Sequence, residues 1–291
     1  MRVRAFAKIN LSLRVLGRRP DRFHELRTIF QSIALHDTLT IRRSRGPFRL
    51  TCDDPNCPAD HANLIWRAAA AMWKAAGRRG APRDVAVDLQ KRIPMNAGLG
   101  GGSSDAAAAI RAFARLWRVD ERRWRAIGGA LGADVPYFFE GGTVLGLERG
   151  DLLFPLRDRP PASVVLVLPS FGVSTAEAFS WFDRDRRGAA GTKRVTAAHL
   201  FANDLEAAVA KRHPEITRIV RALERAGASH AAMTGSGSAV FGLFESARTA
   251  GRAARAVTSH AALSRANLSR AREAHVTTTL DRSRYHRLAG P

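Results

Sequence analysis

The chain has 291 residues, enough for two domains with separate cores, and its 45% hydrophobic and 25% charged residues are ordinary for a globular protein. No apolar run approaches the ~20 residues of a membrane span, the N-terminus lacks the apolar core of a signal peptide, and Cys52 and Cys57 have no second metal half-site, so we expect a cytoplasmic protein with reduced thiols and no membrane partner. The formal net charge of +21 suggests nucleic-acid binding, but arginine supplies most of it, is scattered along the chain and is not interleaved with stacking aromatics, so no nucleic-acid partner is expected.

The first predicted element is a strand over residues 5–13, where apolar and polar side chains alternate. The odd-numbered positions are apolar and predict a core face, and the opposite face places Lys8 beside Asn10. For these two residues alone, an ordinary solvent-exposed face is the favoured interpretation. Lysine is rare in this arginine-rich chain, however, and Lys8 and Lys91 both fall in apolar, strand-like segments. A compact ammonium at such a position favours a site where one small charge meets one oxygen.

The next segments predict a loop, further strands and a helix. Residues 17–25 are polar and predict a loop, and residues 26–43 predict a pair of strands around His36-Asp37. A helix is predicted over residues 63–74, followed by a glycine-containing turn over residues 77–82.

Residues 94–108 are the most informative segment, because four glycines lie within five residues and an alanine-rich run follows. The glycines exclude a helix or an ordinary strand, and the run predicts a helix capped by Ser103 or Ser104, with Asp105 in its first turn. Free N–H groups converge at such a helix N-terminus, and the helix dipole adds positive potential. The segment therefore predicts a phosphorylated ligand seated on Gly98–Ser104, with a plain connecting loop as the alternative.

Two better-known glycine motifs do not fit this segment. A Walker A loop requires a lysine after its last glycine, and no lysine follows Gly102. A dinucleotide-binding fingerprint requires a third glycine at the position of Ser103, after a buried strand. Residues 85–93 instead alternate between apolar and polar, which predicts a half-exposed strand of a mixed sheet.

Asp134 is the only acid in the apolar stretch that follows the next predicted helix, which covers residues 120–131 and ends at Gly132. One interpretation makes Asp134 a turn or cap residue before Pro136. The other makes it a positioned catalytic base. The residues alone weigh the two interpretations equally.

A domain boundary near Leu156 divides the chain into two predicted domains, 1–156 and 157–291. Beyond the boundary, one strand and three helices are predicted, over residues 164–168, 175–182, 197–210 and 214–226. Residues 231–244 predict two strands joined by a Gly-Ser turn. This turn, Thr234–Ser238, either covers phosphates or is a hairpin turn with no ligand.

Four segments resemble the motifs of the GHMP kinases, the family of galactose, homoserine, mevalonate and phosphomevalonate kinases. Residues 94–108 resemble their phosphate loop, and residues 233–241 resemble their third, glycine-containing motif. Residues 7–26 and 132–138 resemble, more narrowly, the branch that acts on a cytidylylated methylerythritol in non-mevalonate isoprenoid biosynthesis. The resemblance implies an α+β, two-domain GHMP kinase fold, with an N-terminal domain like ribosomal protein S5 and a C-terminal ferredoxin-like α/β domain.

This resemblance implies an enzyme that transfers a phosphoryl group from ATP, with Mg²⁺, to the C2 hydroxyl of the methylerythritol unit. Asp134 corresponds to the acid that takes the hydroxyl proton, and Lys8 corresponds to the lysine beside it. In such a site Lys8 keeps Asp134 ionised and neutralises the transferring group, while the loop amides hold the phosphates.

The resemblance also implies which residues bind the two substrates. The predicted ATP-binding residues are Asn63, Lys91, Pro94, Met95, Asn96, Ala97, Gly98, Leu99, Gly100, Gly101, Gly102, Ser103 and Ser104. The predicted acceptor-binding residues are Asn10, Phe23, His24, Thr175 and Phe179. Of these, Phe23 and Phe179 correspond to aromatic residues that sandwich the cytosine, and no side chain is assigned to the metal. Asn96 replaces a small residue of the family's loop, and because Asn tolerates positive φ we expect the loop to persist.

The leading hypothesis has two alternatives. One is another GHMP small-molecule kinase, of the homoserine or mevalonate type. The other is a basic nucleic-acid-binding protein on an inactive kinase fold, against which the intact Lys8 and Asp134 argue. For a kinase, the expected partners are small molecules, and we expect a monomer or a weak homodimer.

Overall fold

The computed structural model describes residues 1–186, 201–258 and 273–290. The strands in these ranges are β1 (Arg2–Arg18), β2 (His24–Pro47), β3 (Arg49–Cys52), β4 (Arg83–Gln90), β5 (Thr143–Glu148), β6 (Leu152–Pro155), β7 (Ser163–Leu168), β8 (His230–Met233), β9 (Val240–Phe244) and β10 (Glu273–Thr278). The helices are α1 (Leu64–Ala75), α2 (Gly101–Trp117), α3 (Glu121–Leu131), α4 (Tyr137–Glu140), α5 (Thr175–Arg186), α6 (Glu206–Arg212), α7 (Glu215–Arg225), α8 (Ala247–Thr258) and α9 (Arg282–Ala289). Two sheets with packed helices confirm the α+β class.

The first sheet is built around β2, a single strand of 24 residues. β1 pairs antiparallel with one edge of β2, while β5 and β4 share the other edge, at residues 26–31 and 38–47. β3 joins β4 in parallel, and β6 joins β5. The sheet is therefore mixed, as the alternation of residues 85–93 predicts.

The prediction of two strands over residues 26–43 is wrong, because β2 runs through His36 and Asp37 without a turn. Asp37 is fully buried, and its carboxylate accepts hydrogen bonds from the backbone N–H groups of Arg92 and Ile93. A buried carboxylate with such partners is satisfied inside the sheet, so this polar residue does not mark a turn.

The second sheet has the strand order β10–β7–β9–β8 and is antiparallel throughout. β7 is buried on both faces: Val165 and Val167 pack among the helices of this half, while Val164 and Leu166 pack with apolar residues of β1. Burial on both faces explains its continuous apolar run. The strands predicted over residues 164–168 and 231–244 are confirmed.

The predicted helices are confirmed, but two differ at their ends. α5 continues to Arg186, past the predicted end at residue 182. Residues 197–200 of the helix predicted over 197–210 lie outside the described ranges, and the described helix α6 begins only at Glu206. The described residues before it are not α-helical, because Asn203 forms a parallel bridge with Leu13 of β1 and Asp204 and Leu205 lie in a turn.

β1 is buried on both faces because it crosses from one half of the molecule to the other. Ala5 packs in the core with α1 and α2, Ile9 lies between the two sheets, and Leu13 packs among the helices of the second sheet. On the opposite face Lys8 is 3% exposed and Asn10 is 2% exposed. The interpretation of this face as solvent-exposed is therefore wrong.

The C-terminal helix α9 returns to the first sheet. The ring of Tyr285 lies 5.5 Å from that of Phe6, and its hydroxyl donates to the carbonyl of Phe138 at 2.7 Å. The division into units 1–156 and 157–291 stays a prediction. In the described ranges, no helix combines the length and the apolar character needed to span a membrane.

Candidate active site

A cleft of about 840 Å³ lies where the loop after β4, the N-terminus of α2 and the loop between β8 and β9 meet. Its volume is within the range of small-molecule sites. The predicted site residues that line it are Lys8, Asn10, Phe23, His24, Lys91, Pro94, Met95, Asn96, Ala97, Gly98, Leu99, Gly100, Gly101, Gly102, Ser103, Asp134, Thr175 and Phe179. Asn63 and Ser104 are not among its lining residues.

The glycine loop turns the chain sharply into α2. Gly98 and Gly100 have φ values of 74° and 72°, and Asn96 has a φ of 54°, so the expected tolerance of positive φ at Asn96 is confirmed. Gly100 is the N-cap residue and provides no side chain, which makes the prediction of a serine cap wrong. A side chain at Gly100 would lie 2.8 Å from the ring of Phe138, so the cap position has no room for one.

The serines of this segment therefore have other positions. The hydroxyl of Ser104 donates to the carbonyl of Phe6 at 2.7 Å, and its backbone N–H already donates to Gly100. Ser104 is buried and directed away from the cleft. The first amides of a helix have no intrahelical acceptor, so the amides available to an anion here are those of Gly101–Ser103.

The loop between β8 and β9 packs directly on the glycine loop. A Cβ atom on Gly98 would lie 2.1 Å from the carbonyl oxygen of Thr234, and one on Gly235 would lie 2.9 Å from the carbonyl oxygen of Gly98. The N–H of Ala239 donates to the carbonyl of Ala97 at 3.2 Å. Glycine is required at both positions because two backbones touch there.

Lys8 lies beneath these two loops with its ammonium group fully surrounded. Its Nζ donates to Oδ1 of Asn10 at 2.6 Å and to the carbonyl of Gly98 at 2.9 Å, and it lies 3.8 Å from Oδ2 of Asp134. Burial lowers the pKa of Lys8, with the attraction of Asp134 acting in the opposite direction. The Asp134 side chain is 37% exposed, so it faces both the ammonium and the cleft.

Two threonines that the site prediction omitted hold Asn10 in place. Nδ2 of Asn10 donates to the hydroxyl of Thr28 at 2.7 Å, which fixes the amide so that Oδ1 faces Lys8. The backbone N–H of Asn10 donates to the hydroxyl of Thr234 at 3.0 Å. Thr28 belongs to no sequence motif, so no signal pointed to it. Thr234 belongs to the Gly-Ser turn and could have been assigned to the site together with that turn.

The predicted acceptor-binding residues lie at the other end of the cleft. The rings of His24 and Phe179 are stacked, 4.5 Å apart at 18°, and Nε2 of His24 is 2.8 Å from Oδ1 of Asp183. Phe23 is 55% exposed, with the guanidinium of Arg149 5.4 Å from its ring. Phe179 thus has one ring face occupied by His24, and its pairing with Phe23 around a cytosine stays a prediction.

Asp183 is a residue of this end that sequence reasoning missed. It lies four residues after Phe179 on α5, so both side chains fall on one helix face. The helix predicted over residues 175–182 stops one residue short of it. Extending that helix by one turn would have placed a carboxylate beside His24.

Two of the predicted ATP-binding residues, Asn63 and Lys91, have other contacts. Asn63 caps α1: its Oδ1 accepts from the N–H of Ile65 at 2.9 Å. Lys91 is buried, and its Nζ donates to Asp37 at 2.5 Å and to Asp105 at 2.9 Å. Asp105 therefore does not serve the helix dipole from the first turn, as predicted, because it lies on the buried side of α2 and binds Lys91.

The burial of Asp105 predicts that the stability of the protein depends on pH. Burial raises the pKa of Asp105 to about 8, against the attraction of Lys91. Its contribution to stability is therefore present below the unfolded-state pKa of about 3.9 and is lost as pH rises through the folded pKa. We expect the free energy of unfolding of the wild type to fall relative to Asp105→Asn between roughly pH 4 and pH 8.

Urea unfolding of both proteins across that pH range measures the difference. Asp88→Asn, at a half-exposed position on β4, is the control and should follow the wild type. A constant difference between Asp105→Asn and the wild type would show that Asp105 does not titrate there.

Two family descriptions match the chain. "GHMP kinases N terminal domain" matches residues 63–142, and "GHMP kinases C terminal" matches residues 193–263. Together with the glycine loop at the N-terminus of α2 and the Gly-Ser loop packed on it, these matches define a GHMP kinase. The protein is thus a phosphotransferase with ATP as the phosphate donor.

Two sequence relatives and one solved structure show which branch of the GHMP kinases the chain belongs to. The 4-diphosphocytidyl-2-C-methyl-D-erythritol kinase of Solibacter usitatus is 46% identical over 262 residues, covering 83% of this chain and 80% of the relative. The kinase of the same name from Moorella thermoacetica is 42% identical over 266 residues, which cover 86% of this chain and 92% of the relative. A crystal structure of a 4-(cytidine 5'-diphospho)-2C-methyl-D-erythritol kinase matches with a TM-score of 0.77 at 32% identity, covering 96% and 99%. The chain belongs to the family of 4-diphosphocytidyl-2-C-methyl-D-erythritol kinases, which confirms the predicted fold, family and kinase activity.

Proposed function

We propose that the cleft transfers the γ-phosphoryl group of ATP to the C2 hydroxyl of 4-diphosphocytidyl-2-C-methyl-D-erythritol, a step of non-mevalonate isoprenoid precursor biosynthesis. The observation that carries the proposal is the buried ammonium of Lys8, 3.8 Å from Asp134 and beside the N-terminus of α2. The shared name of the two relatives supports the identity of the acceptor.

In this proposal the α2 amides of Gly101–Ser103 hold the phosphates at the positive end of the helix dipole. Asp134 accepts the proton of the C2 hydroxyl as the phosphoryl group is transferred, and Lys8 neutralises the charge on that group. Asn10 and Gly98 fix the ammonium, so it needs no reorganisation when charge develops. Phosphoryl transfer depends mainly on such positioning and charge stabilisation.

We propose Mg²⁺ as the metal that accompanies ATP. Asp134 is the only carboxylate among the described residues that line the cleft, and no group of three or more His, Cys, Asp or Glu side chains in the described ranges could hold a metal. Such a sparse donor set suits Mg²⁺, which keeps several waters and binds through one or two carboxylates plus substrate phosphates. When bound, the ion would neutralise phosphate charge.

The acceptor's cytosine is proposed to stack on the free face of Phe179, with His24 held by Asp183 beneath it. Phe179→Ala should raise the KM for the cytidylylated acceptor about tenfold, because a base–aromatic stack contributes ~1–3 kcal/mol. The KM for ATP should change little.

Steady-state kinetics with each substrate varied in turn measure this split. Trp181→Ala is the matched control, because Trp181 lies on the same helix but packs on His213 outside the cleft. An unchanged KM for the acceptor in Phe179→Ala would mean that the base stacks elsewhere.

A coupled assay of ADP release tests the function itself. With ATP, the cytidylylated acceptor should give a kcat/KM at least about 100-fold above those of homoserine and mevalonate, because a site built to bind polar groups rejects a substrate that lacks them. Comparable turnover of all three acceptors would contradict the proposed specificity.

We also propose a cytoplasmic monomer or weak homodimer with no nucleic-acid partner. Free Cys52 and Cys57 suit a reducing compartment. The high positive charge suits attraction of two polyanionic substrates to the cleft.

A further inference from the structure

A cluster of three buried ionisable side chains joins β2, the end of β4 and α2. Lys91 is its centre, with Nζ 2.5 Å from Oδ2 of Asp37 and 2.9 Å from Oδ2 of Asp105. The three side chains are 6%, 0% and 4% exposed. Lys91 lines the cleft, whereas neither Asp37 nor Asp105 does, so the two carboxyl groups lie behind the site described above.

The cluster holds both ends of the phosphate loop, which we define as residues 94–100. At the entrance, Oδ1 of Asp37 accepts the backbone N–H groups of Arg92 and Ile93, immediately before the loop. At the exit, Asp105 ties the second turn of α2 to the same ammonium. β2 therefore anchors the entrance of the loop directly through Asp37, and it anchors the exit through the contacts of Lys91 with Asp37 and Asp105.

The loop needs such an anchor, because Asn96 adopts positive φ and because Gly98 and Gly100 lose much backbone freedom when they are ordered. Sparsely populated backbone conformations persist only where the surrounding structure over-determines them. The anchor is also close to the amides that face the anion, since a Cβ atom on Gly101 would lie only 3.3 Å from Nζ of Lys91.

We propose that the Asp37–Lys91–Asp105 cluster is a clamp that holds the phosphate loop in its nucleotide-binding conformation, so that Asp37 and Asp105 are positioning residues for ATP. The inference rests on the proposed function, because it assigns the loop to ATP. It also gives Lys91 a different role from the predicted one: its ammonium binds two carboxylates and orients the loop from behind.

The clamp also accounts for a polar atom without a protein partner. Oδ1 of Asp105 makes no hydrogen bond to any described residue although it is buried. Only Oδ2, which faces Lys91, is used. An apolar residue of similar size would fill the space of Asp105 without making the contact with Lys91.

The experiment compares Asp105→Leu, which removes the acceptor for Lys91, with Asp105→Asn, which keeps an acceptor oxygen. Binding of ADP is measured by calorimetry, and KM is measured for ATP and for the cytidylylated acceptor. Asp105→Leu should weaken ADP binding and raise the KM for ATP by about tenfold or more, while the KM for the acceptor stays within about twofold. The loss of ADP affinity and the increase in the KM for ATP should both be at least about fivefold smaller in Asp105→Asn than in Asp105→Leu.

Amide hydrogen exchange distinguishes a clamp from a general stabilising role. In Asp105→Leu, exchange over residues 94–104 should accelerate by about tenfold or more, while β7 and β9 keep the wild-type rate. Asp88→Leu, at a half-exposed position of β4 outside the cluster, is the control for loss of an aspartate and should match the wild type in every measurement.

Several results would overturn the proposal. Wild-type ADP affinity in Asp105→Leu would do so, as would equal increases in both KM values or uniformly faster exchange. If Asp105→Leu does not fold, Asp105→Ala, which removes the same acceptor without adding bulk and leaves Lys91 paired with Asp37, decides the question by the same ADP measurement. Failure of the wild type itself to bind ADP would instead contradict the proposed function.

Discussion

Asp134→Ala is expected to lower kcat by about 10²-fold or more, because a positioned base contributes roughly 10²–10⁴-fold to a proton-transfer step. The fold should persist, since the Asp134 side chain is 37% exposed and its neighbours Val135 and Phe138 supply the packing. The KM for ATP should change little, because the loop amides stay in place. The loss should therefore be confined to the chemical step.

Single-turnover kinetics with saturating ATP measure this loss directly. Glu121→Ala, which removes an exposed carboxylate from α3 outside the cleft, is the control and should retain wild-type turnover. Near-normal turnover of Asp134→Ala would remove Asp134 from the role of base and leave it as a turn residue.

Lys8→Arg is expected to lose rate as severely as Lys8→Ala, by about 10²–10³-fold, although it keeps the positive charge. The space around Nζ explains why, because it is bounded by Asn10, Gly98 and a position 3.1 Å away where Gly235 would carry a Cβ atom. A planar guanidinium cannot fit there without displacing a loop. Lys8→Ala leaves the oxygens of Asn10 and Gly98 buried without their donor, which also costs stability.

The two variants are compared by kcat and by melting temperature. Lys74→Met, which removes an exposed lysine from α1, is the control for loss of one positive charge. A fully active Lys8→Arg enzyme would contradict the requirement for a point charge at this position.

The local part of the site could be predicted from the sequence, because the physical reasons are local. Four glycines before an alanine-rich run indicate a bare loop and a helix N-terminus, although the expectation that they exclude a helix is wrong for Gly101 and Gly102, which form the start of α2. The positive φ of Asn96 follows from residue type in the same way. The predicted helix end at Gly132 also agrees with the structure.

The non-local part could not be predicted from pattern. Burial of the Lys8 face depends on Gly98 and Thr234, which are distant in sequence, so alternation in β1 alone favoured an exposed face. His36-Asp37 suggested a turn because the partners of Asp37 come from the segment after β4. The prediction of a serine cap failed because the cap position is Gly100, where Phe138 and Lys8 exclude any side chain, and Ser103 and Ser104 lie inside α2.

The contact between the two glycine loops has a consequence for biosynthesis of the enzyme. The hydroxyl that fixes Asn10, beside Lys8, belongs to Thr234, which lies 224 residues later in the chain, and β10 joins the second sheet only at Glu273–Thr278. A nascent polypeptide therefore carries its ammonium and its glycine loop long before both are locked together. A product truncated before Thr234 would lack the contact that fixes Asn10.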